Sequence, residues 1–144
     1  MSRKKNIAFP DEKMYPDFMP IFVVHEHYAR HHHFDFRLEM EGVLKSWAVP
    51  KGPSMNPSDK RLAIMVEDHS LEYGSFEGTI PEGQYGAGTV VIWDSGTYKL
   101  ISGTIDSGRI EVELNGKKLN GIFMLVKMKG KDKEWLLMKK RDKK

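Results

Sequence analysis

The strongest constraint on this chain is a period of two. In His33-Phe34-Asp35-Phe36-Arg37-Leu38-Glu39-Met40 apolar and polar residues alternate without a break. Successive strand side chains point to opposite faces, so Phe34, Phe36, Leu38 and Met40 share one face and His33, Asp35, Arg37 and Glu39 the other. Similar short runs cover 21–27, 44–49, 61–67, 89–93, 97–101, 110–114, 122–128 and 135–140, with turn signals between them. Asp94-Ser95-Gly96 reads as a hairpin turn, 53–59 as a loop, 130–133 as a turn, and 78–88, with Pro81 and four glycines, as a long loop. The pattern predicts an all-β fold: a compact closed or partly open β-barrel of about eight strands with little helix. Trp47, Trp93 and Trp135 lie in strand-like runs and are expected in the core.

Three prolines in the first twenty residues mark an irregular basic N-terminal arm over 1–20, leaving 21–144 as one domain. A length of 144 suits a single core. The net charge of +3 divides unevenly: residues 1–13 carry +2, 127–144 carry +6, and the body between carries −5. Basic ends suit a polyanion such as nucleic acid, whereas an acidic body calls for another explanation. The chain has no cysteine. That excludes disulfides, thiolate-ligated metals and a thiol nucleophile. No apolar run approaches the ~20 residues of a membrane span or resembles a signal peptide, so a cytoplasmic location without membrane contact is expected.

Five of the six histidines, His25, His27, His31, His32 and His33, fall within nine residues. If 28–32 turn between two antiparallel strands, His27 comes close to His33 and Asp35. Two imidazoles and a carboxylate form a three-ligand metal site with open positions. Nitrogen and oxygen donors allow Mn²⁺, Zn²⁺, Fe²⁺ or Co²⁺. Arg37, two residues along the same face, suits an oxyanion held bidentately beside the metal, most naturally a phosphate. His31 and His32 read as solvated turn residues. In a second alternating run Leu62, Ile64 and Val66 face one way, and Arg61, Ala63, Met65, Glu67 and His69 the other. An Arg and a His on one face suit phosphate binding and proton donation, since imidazole titrates near neutral pH. The loop Gly83-Gln84-Tyr85-Gly86-Ala87-Gly88 lacks the lysine and spacing of a P-loop and reads as a tight backbone turn.

These motifs resemble the 3′-phosphoesterase domain of bacterial DNA ligase D. The resemblance rests on Phe22-Val23-Val24, on His27 and on 33–39. It continues through 44–53, Val66-Glu67-Asp68-His69, Phe76-Glu77-Gly78, Ile80-Pro81-Glu82-Gly83, Tyr85-Gly86-Ala87-Gly88 and the C-terminal 135–142. It implies a compact β-barrel, in a free-standing form like those of archaea and some bacteria. It also implies a Mn²⁺-dependent enzyme, with Zn²⁺ or Co²⁺ as alternatives. Such an enzyme removes 3′-phosphates and 3′-terminal ribonucleotides from primer–template ends in strand-break repair by end joining. A separate DNA ligase, polymerase and Ku are the implied partners. By the same resemblance the metal ligands fall on His27, His33 and Asp35. The catalytic and phosphate-contacting positions fall on Arg37 and His69, with Lys51, Arg61, Glu67 and Tyr73 around them. His25, where many relatives carry Gln, is expected to touch substrate or metal. The competing expectation is a non-catalytic β-barrel that binds nucleic acid around a structural metal. A small metal-dependent hydrolase or oxygenase acting on a metabolite would need a deep apolar pocket.

Overall fold

The structure is a computed structural model and describes residues 19–142. Nearly all of the arm over 1–20, and the last two lysines, lie outside the described residues. Nine strands form in chain order: β1 (Ile21–Tyr28), β2 (His33–Met40), β3 (Val43–Val49), β4 (Arg61–Ser70), β5 (Gly78–Ile80), β6 (Gly88–Thr104), β7 (Arg109–Asn115), β8 (Asn120–Lys127) and β9 (Glu134–Lys139). All pairings are antiparallel. Eight of the strands run β1-β2-β3-β4-β9-β8-β7-β6, and a β1–β6 pairing closes them into a barrel, with β5 added on β6. The only helical element among the described residues is a 3₁₀ turn, Leu71–Ser75. Closure leaves no edge within the barrel and so makes use of nearly every backbone donor.

The alternating faces of β2 behave as the pattern predicts. Phe36 and Leu38 are fully buried in the barrel interior with Phe22, Val24, Trp47, Val49, Phe123, Leu125, Trp135 and Leu137, and Phe34 and Met40 pack against them. Trp47 and Trp135 meet edge-on at 5.7 Å. Truncating either to Ala would cost about 3–5 kcal/mol. Trp93 is half-buried against Phe34, with the Lys118 ammonium 4.6 Å from its ring.

Three expectations need correction. Residues 94–96 make no hairpin: β6 runs straight through them for 17 residues. The Asp94 carboxylate instead accepts the backbone N–H groups of Lys117, Lys118 and Leu119, and so holds the β7–β8 turn. Gly96 is required by packing, since a Cβ there would lie 2.0 Å from the Asn115 carbonyl oxygen. The segment 78–88 is not all loop, because Gly78–Ile80 pairs with β6. The third correction concerns β4. Ser46 of β3 opposes Val66, but Leu44 opposes His69, so β4 takes three steps where β3 takes two. This bulge changes the parity of the strand. Ala63 and Met65 face the barrel interior, whereas His69 turns to the outer face shared by Ile64 and Val66.

Candidate active site

The site lies on the outer face of the wall formed by β1 to β4. Register puts His27 opposite His33 and His25 opposite Asp35, and sets Arg37 between Val23 and Ser46. The 3₁₀ turn and the loop after β5 stand over this face and leave a cleft of about 1190 Å³. His27, His33, Asp35, Arg37, Ala48, Val66, Glu67, His69, Tyr73 and Tyr85 are among its lining.

His27, His33 and Asp35 each turn one ligand-type atom into this cleft, and those atoms lie within 4.8 Å of one another. Asp35 Oδ2 is 3.8 Å from His27 Nδ1 and 3.4 Å from His33 Nε2. The far nitrogens set the tautomers. His27 Nε2 sits 2.9 Å from the Gly86 carbonyl oxygen and 3.2 Å from that of Ala87. His33 Nδ1 sits 2.7 Å from the His31 carbonyl oxygen. Carbonyls only accept, so both far nitrogens carry the proton and both near nitrogens turn lone pairs toward Asp35. Two lone pairs and a carboxylate aimed at one point repel one another unless a cation or a proton lies between them. The donor set therefore fits a divalent metal, and the carbonyls are the outer partners that orient metal-binding imidazoles.

Arg37 is only 2% exposed and holds the rest of the site together. Its Nε–H donates to His25 Nδ1 at 3.0 Å. Nη1 donates to Ser46 Oγ at 2.8 Å and to His69 Nδ1 at 3.1 Å, and Nη2 to Asp35 Oδ2 at 3.4 Å. Four of the five guanidinium N–H groups are thus committed. Only one remains for a ligand, so Arg37 does not offer the free bidentate fork expected from the sequence. The guanidinium also stands 5.0 Å over the Tyr73 ring, which stacks on Phe76.

The electrostatics follow from this packing. Burial, then the Arg37 charge, lowers the His25 pKa to about 4, so the ring is neutral at pH 7. Its Nε2–H donates to the Phe76 carbonyl at 3.0 Å and ties the chain beyond the 3₁₀ turn to Arg37. Burial and Arg37 also lower the His69 pKa. His69 Nδ1 lies 3.2 Å from the Glu67 carbonyl as well, but Arg37 only donates, so Nδ1 accepts and the proton resides on Nε2. Burial pushes the Asp35 carboxyl up, but the His33 hydrogen bond and Arg37 outweigh it and hold it below its ordinary range. With a proton rather than a cation between them, the hydrogen bond that His33 would then donate to Asp35 raises the His33 pKa against the effect of burial.

Of the residues singled out in the sequence, His27, His33, Asp35, Arg37, Glu67, His69 and Tyr73 line the cleft, whereas His25 is fully buried behind Arg37 with both ring nitrogens bonded and so is not placed to touch substrate or metal. Lys51 and Arg61 are not among the lining residues. Lys51 is exposed in the turn after β3. Arg61 shares the parity of Ala63, and its nearest acid is Asp59 at 3.5 Å. His32 pairs with Glu26 at 2.8 Å rather than standing free. Sequence reasoning passed over Ser46, the Gly86 and Ala87 carbonyls and Tyr85. Only Tyr85 carried a signal, as an aromatic residue inside a glycine-rich loop.

Fold and site together define a closed antiparallel β-barrel with a metal-compatible, arginine-backed cleft on its outer wall. Residues 25–127 match the family described as the DNA Ligase D 3′-phosphoesterase domain, and the chain belongs to that family. It is 46% identical over 126 residues to the multifunctional non-homologous end joining protein LigD of Pseudomonas aeruginosa, covering 84% of this chain and 15% of that protein. It is 52% identical over 111 residues to the end joining DNA repair protein LigD of Mycobacterium tuberculosis, covering 76% of this chain and 15% of that protein. The corresponding protein of Mycolicibacterium smegmatis is 46% identical over 132 residues, covering 85% of this chain and 17% of that protein. The chain thus spans less than a fifth of the length of these relatives.

Proposed function

We propose that this domain is a metal-dependent phosphoesterase that heals DNA 3′ ends. It removes a terminal 3′-phosphate, and 3′-terminal ribonucleotides, to leave a 3′-OH for ligation in end joining. The observation that carries this reading is the convergence of two imidazole lone pairs and the Asp35 carboxylate in the cleft that holds Arg37 and His69. Family membership and the relatives' printed role in end joining support it.

His27 Nδ1, His33 Nε2 and Asp35 Oδ2 would hold Mn²⁺, with Zn²⁺ or Co²⁺ as alternatives, and the cation would supply Lewis acidity toward a phosphoryl oxygen. Arg37 contributes its full charge and its one remaining N–H to that phosphoryl group. His25 and Ser46 fix the guanidinium plane, so its charge is in place before substrate arrives. His69 presents Nε2–H. Because its imidazole is held neutral, hydrogen-bond stabilisation of the leaving oxygen is favoured over full proton transfer. Glu67 and Tyr73 shape the cleft.

The exposed lysines of the β8–β9 turn, Lys127, Lys129, Lys131 and Lys133, form no ion pair with described residues. This turn adjoins the strand that carries His69, since the Lys133 carbonyl accepts the Met65 N–H at 2.8 Å. We assign them to the duplex backbone, with a salt-dependent affinity. A separate ligase, polymerase and Ku as partners, and a cytoplasmic location, belong to the same proposal. No helix among the described residues is long and apolar enough to cross a membrane.

The test is incubation with labelled primer–templates ending in 3′-phosphate or a 3′-ribonucleotide, with Mn²⁺, Zn²⁺, Mg²⁺ or chelator. Release of phosphate or of the terminal nucleotide only with metal is expected. No product with any metal would overturn the reading in favour of a binding module.

A further inference from the structure

Tyr85 is 74% exposed, more than any other large hydrophobic residue among the described ones, yet it lines the cleft. Its backbone is held firmly. It sits in a turn where Gln84 N–H donates to Pro81 and Ala87 N–H to Gln84. Gly83 and Gly86 supply the positive φ values, 89° and 77°, that the turn requires. The next two carbonyls, of Gly86 and Ala87, are those that accept from His27 Nε2. The ring is therefore one residue away from a group that orients a proposed metal ligand.

The other described tyrosines are engaged. Tyr98 is buried in the core, and Tyr73 is stacked on Phe76 and lies under Arg37. Tyr28, at another part of the rim and 51% exposed, has its ring stacked on His32 at 4.9 Å and 12°. The Tyr85 ring makes no aromatic or cation–π contact with described residues. Burial, then the Glu67 charge and a hydrogen bond to Glu67, raises its hydroxyl pKa, so the phenol end is engaged with β4 while the ring faces are not. A ring mounted on this turn, with no aromatic or cationic partner on its faces among the described residues, matches a planar heterocycle attached to a phosphate bound in the cleft.

We propose that Tyr85 is the platform on which the base of the 3′-terminal nucleotide stacks, so the cleft selects a nucleoside 3′-phosphate over a bare phosphate ester. This rests on the phosphoesterase reading above. Base–aromatic stacking is tolerant of base identity, so the residue would select for a nucleobase without choosing among the four.

The experiment compares 3′-phosphate primer–templates that end in an ordinary nucleotide or in an abasic deoxyribose. Wild-type protein is expected to show a KM about tenfold lower for the ordinary end. Tyr85→Ala should lose that preference, and Tyr85→Phe should keep it. A terminal 2-aminopurine, titrated in chelator, gives a readout without turnover: quenching on binding is expected in wild type and Tyr85→Phe and absent in Tyr85→Ala. Because the side chain is exposed, all three proteins should melt together. A Tyr85→Ala protein that retains both the tenfold preference and the quenching overturns the proposal. Failure of wild type to turn over either primer overturns the phosphoesterase reading instead, and the quenching then decides the stacking alone.

Discussion

On the outer face of β7, Glu111 is buried beside Arg109 and Lys140, whose nitrogens stand 3.3 Å and 3.4 Å from its two oxygens. Each acceptor has its donor, and nothing is directed outward. On the outer face of β1 and β2, His27, Asp35 and Arg37 are equally buried, but their hydrogen bonding is incomplete by design of the register. The carbonyls behind the histidines take one nitrogen each and leave the other free. Arg37 holds four partners and keeps one N–H. The two walls bury ionised groups by the same means, yet only one has capacity left over. A buried polar group with a free, oriented valence is where function is to be sought, while a buried pair that satisfies itself contributes to structure alone.

The largest break of this contrast is His33→Ala. It removes one converging donor, so loss of Mn²⁺ binding and of phosphate release should exceed the roughly 10–100-fold that deleting an outer partner costs. Titration calorimetry and a phosphate-release assay measure both. Glu111→Gln on the other wall should change neither and should cost less than about 1 kcal/mol, because its cationic partners are half-exposed. Full activity in His33→Ala would end the metal assignment. Next in size is Arg37→Met. It strands His25 Nδ1, Ser46 Oγ and the Asp35 charge, so unfolding in urea should show a loss of about 3 kcal/mol, with turnover down about 10²-fold. Arg37→Lys restores the charge without the fork and should recover little of the turnover. A smaller effect is expected from Gly86→Ala. The methyl group has room, its nearest neighbour being Ile80 at 3.7 Å, but φ of +77° strains it. The carbonyl behind His27 should shift, weakening metal affinity about tenfold while the barrel melts nearly as before.

The same contrast explains what could be read from the sequence. The β2 face was legible in full, because period two is a local property and nothing interrupts it between His33 and Met40. The pairing of His27 with His33 was legible because a short turn permits few registers. His69 was selected in one row with Arg61, Ala63 and Met65, whereas the fold sets it in the row of Ile64 and Val66. The bulge that reverses its parity depends on pairing with β3, a non-local contact that a single strand does not encode. Arg61 shows the cost of that omission: without the bulge it shares a row with His69, and with the bulge it is separated from it. Asp94-Ser95-Gly96 resembled a hairpin because Asp and Gly favour turns, yet here Asp serves another turn and Gly makes room for Asn115. The Gly86 and Ala87 carbonyls were beyond reach, since every residue carries a carbonyl and only the fold aims it.

The smallest effect tests the tie between the walls. Tyr98 of β6 points into the core, and its hydroxyl donates to the Glu39 carbonyl of β2 at 2.7 Å. Burial, then the Glu39 charge, pushes its pKa up to about 12. The unfolded chain loses this proton near pH 10, whereas the folded chain keeps it to about pH 12. Between those limits the unfolded state binds fewer protons, so stability falls as pH rises, and the contribution is complete below pH 10. Lysines titrate in the same range, so the readout is the difference between wild type and Tyr98→Phe. The variant should lose about 1 kcal/mol near neutral pH. It should keep its metal affinity and turnover, and lose less stability than wild type from pH 10 to 12. Parallel curves for the two proteins would mean that the phenol is not held protonated by burial. A fall in turnover without a fall in stability would mean that the core of one wall reaches the chemistry on the other. The geometry argues against that, because Phe36 and Leu38 stand on one face of β2 and Asp35 and Arg37 on the other.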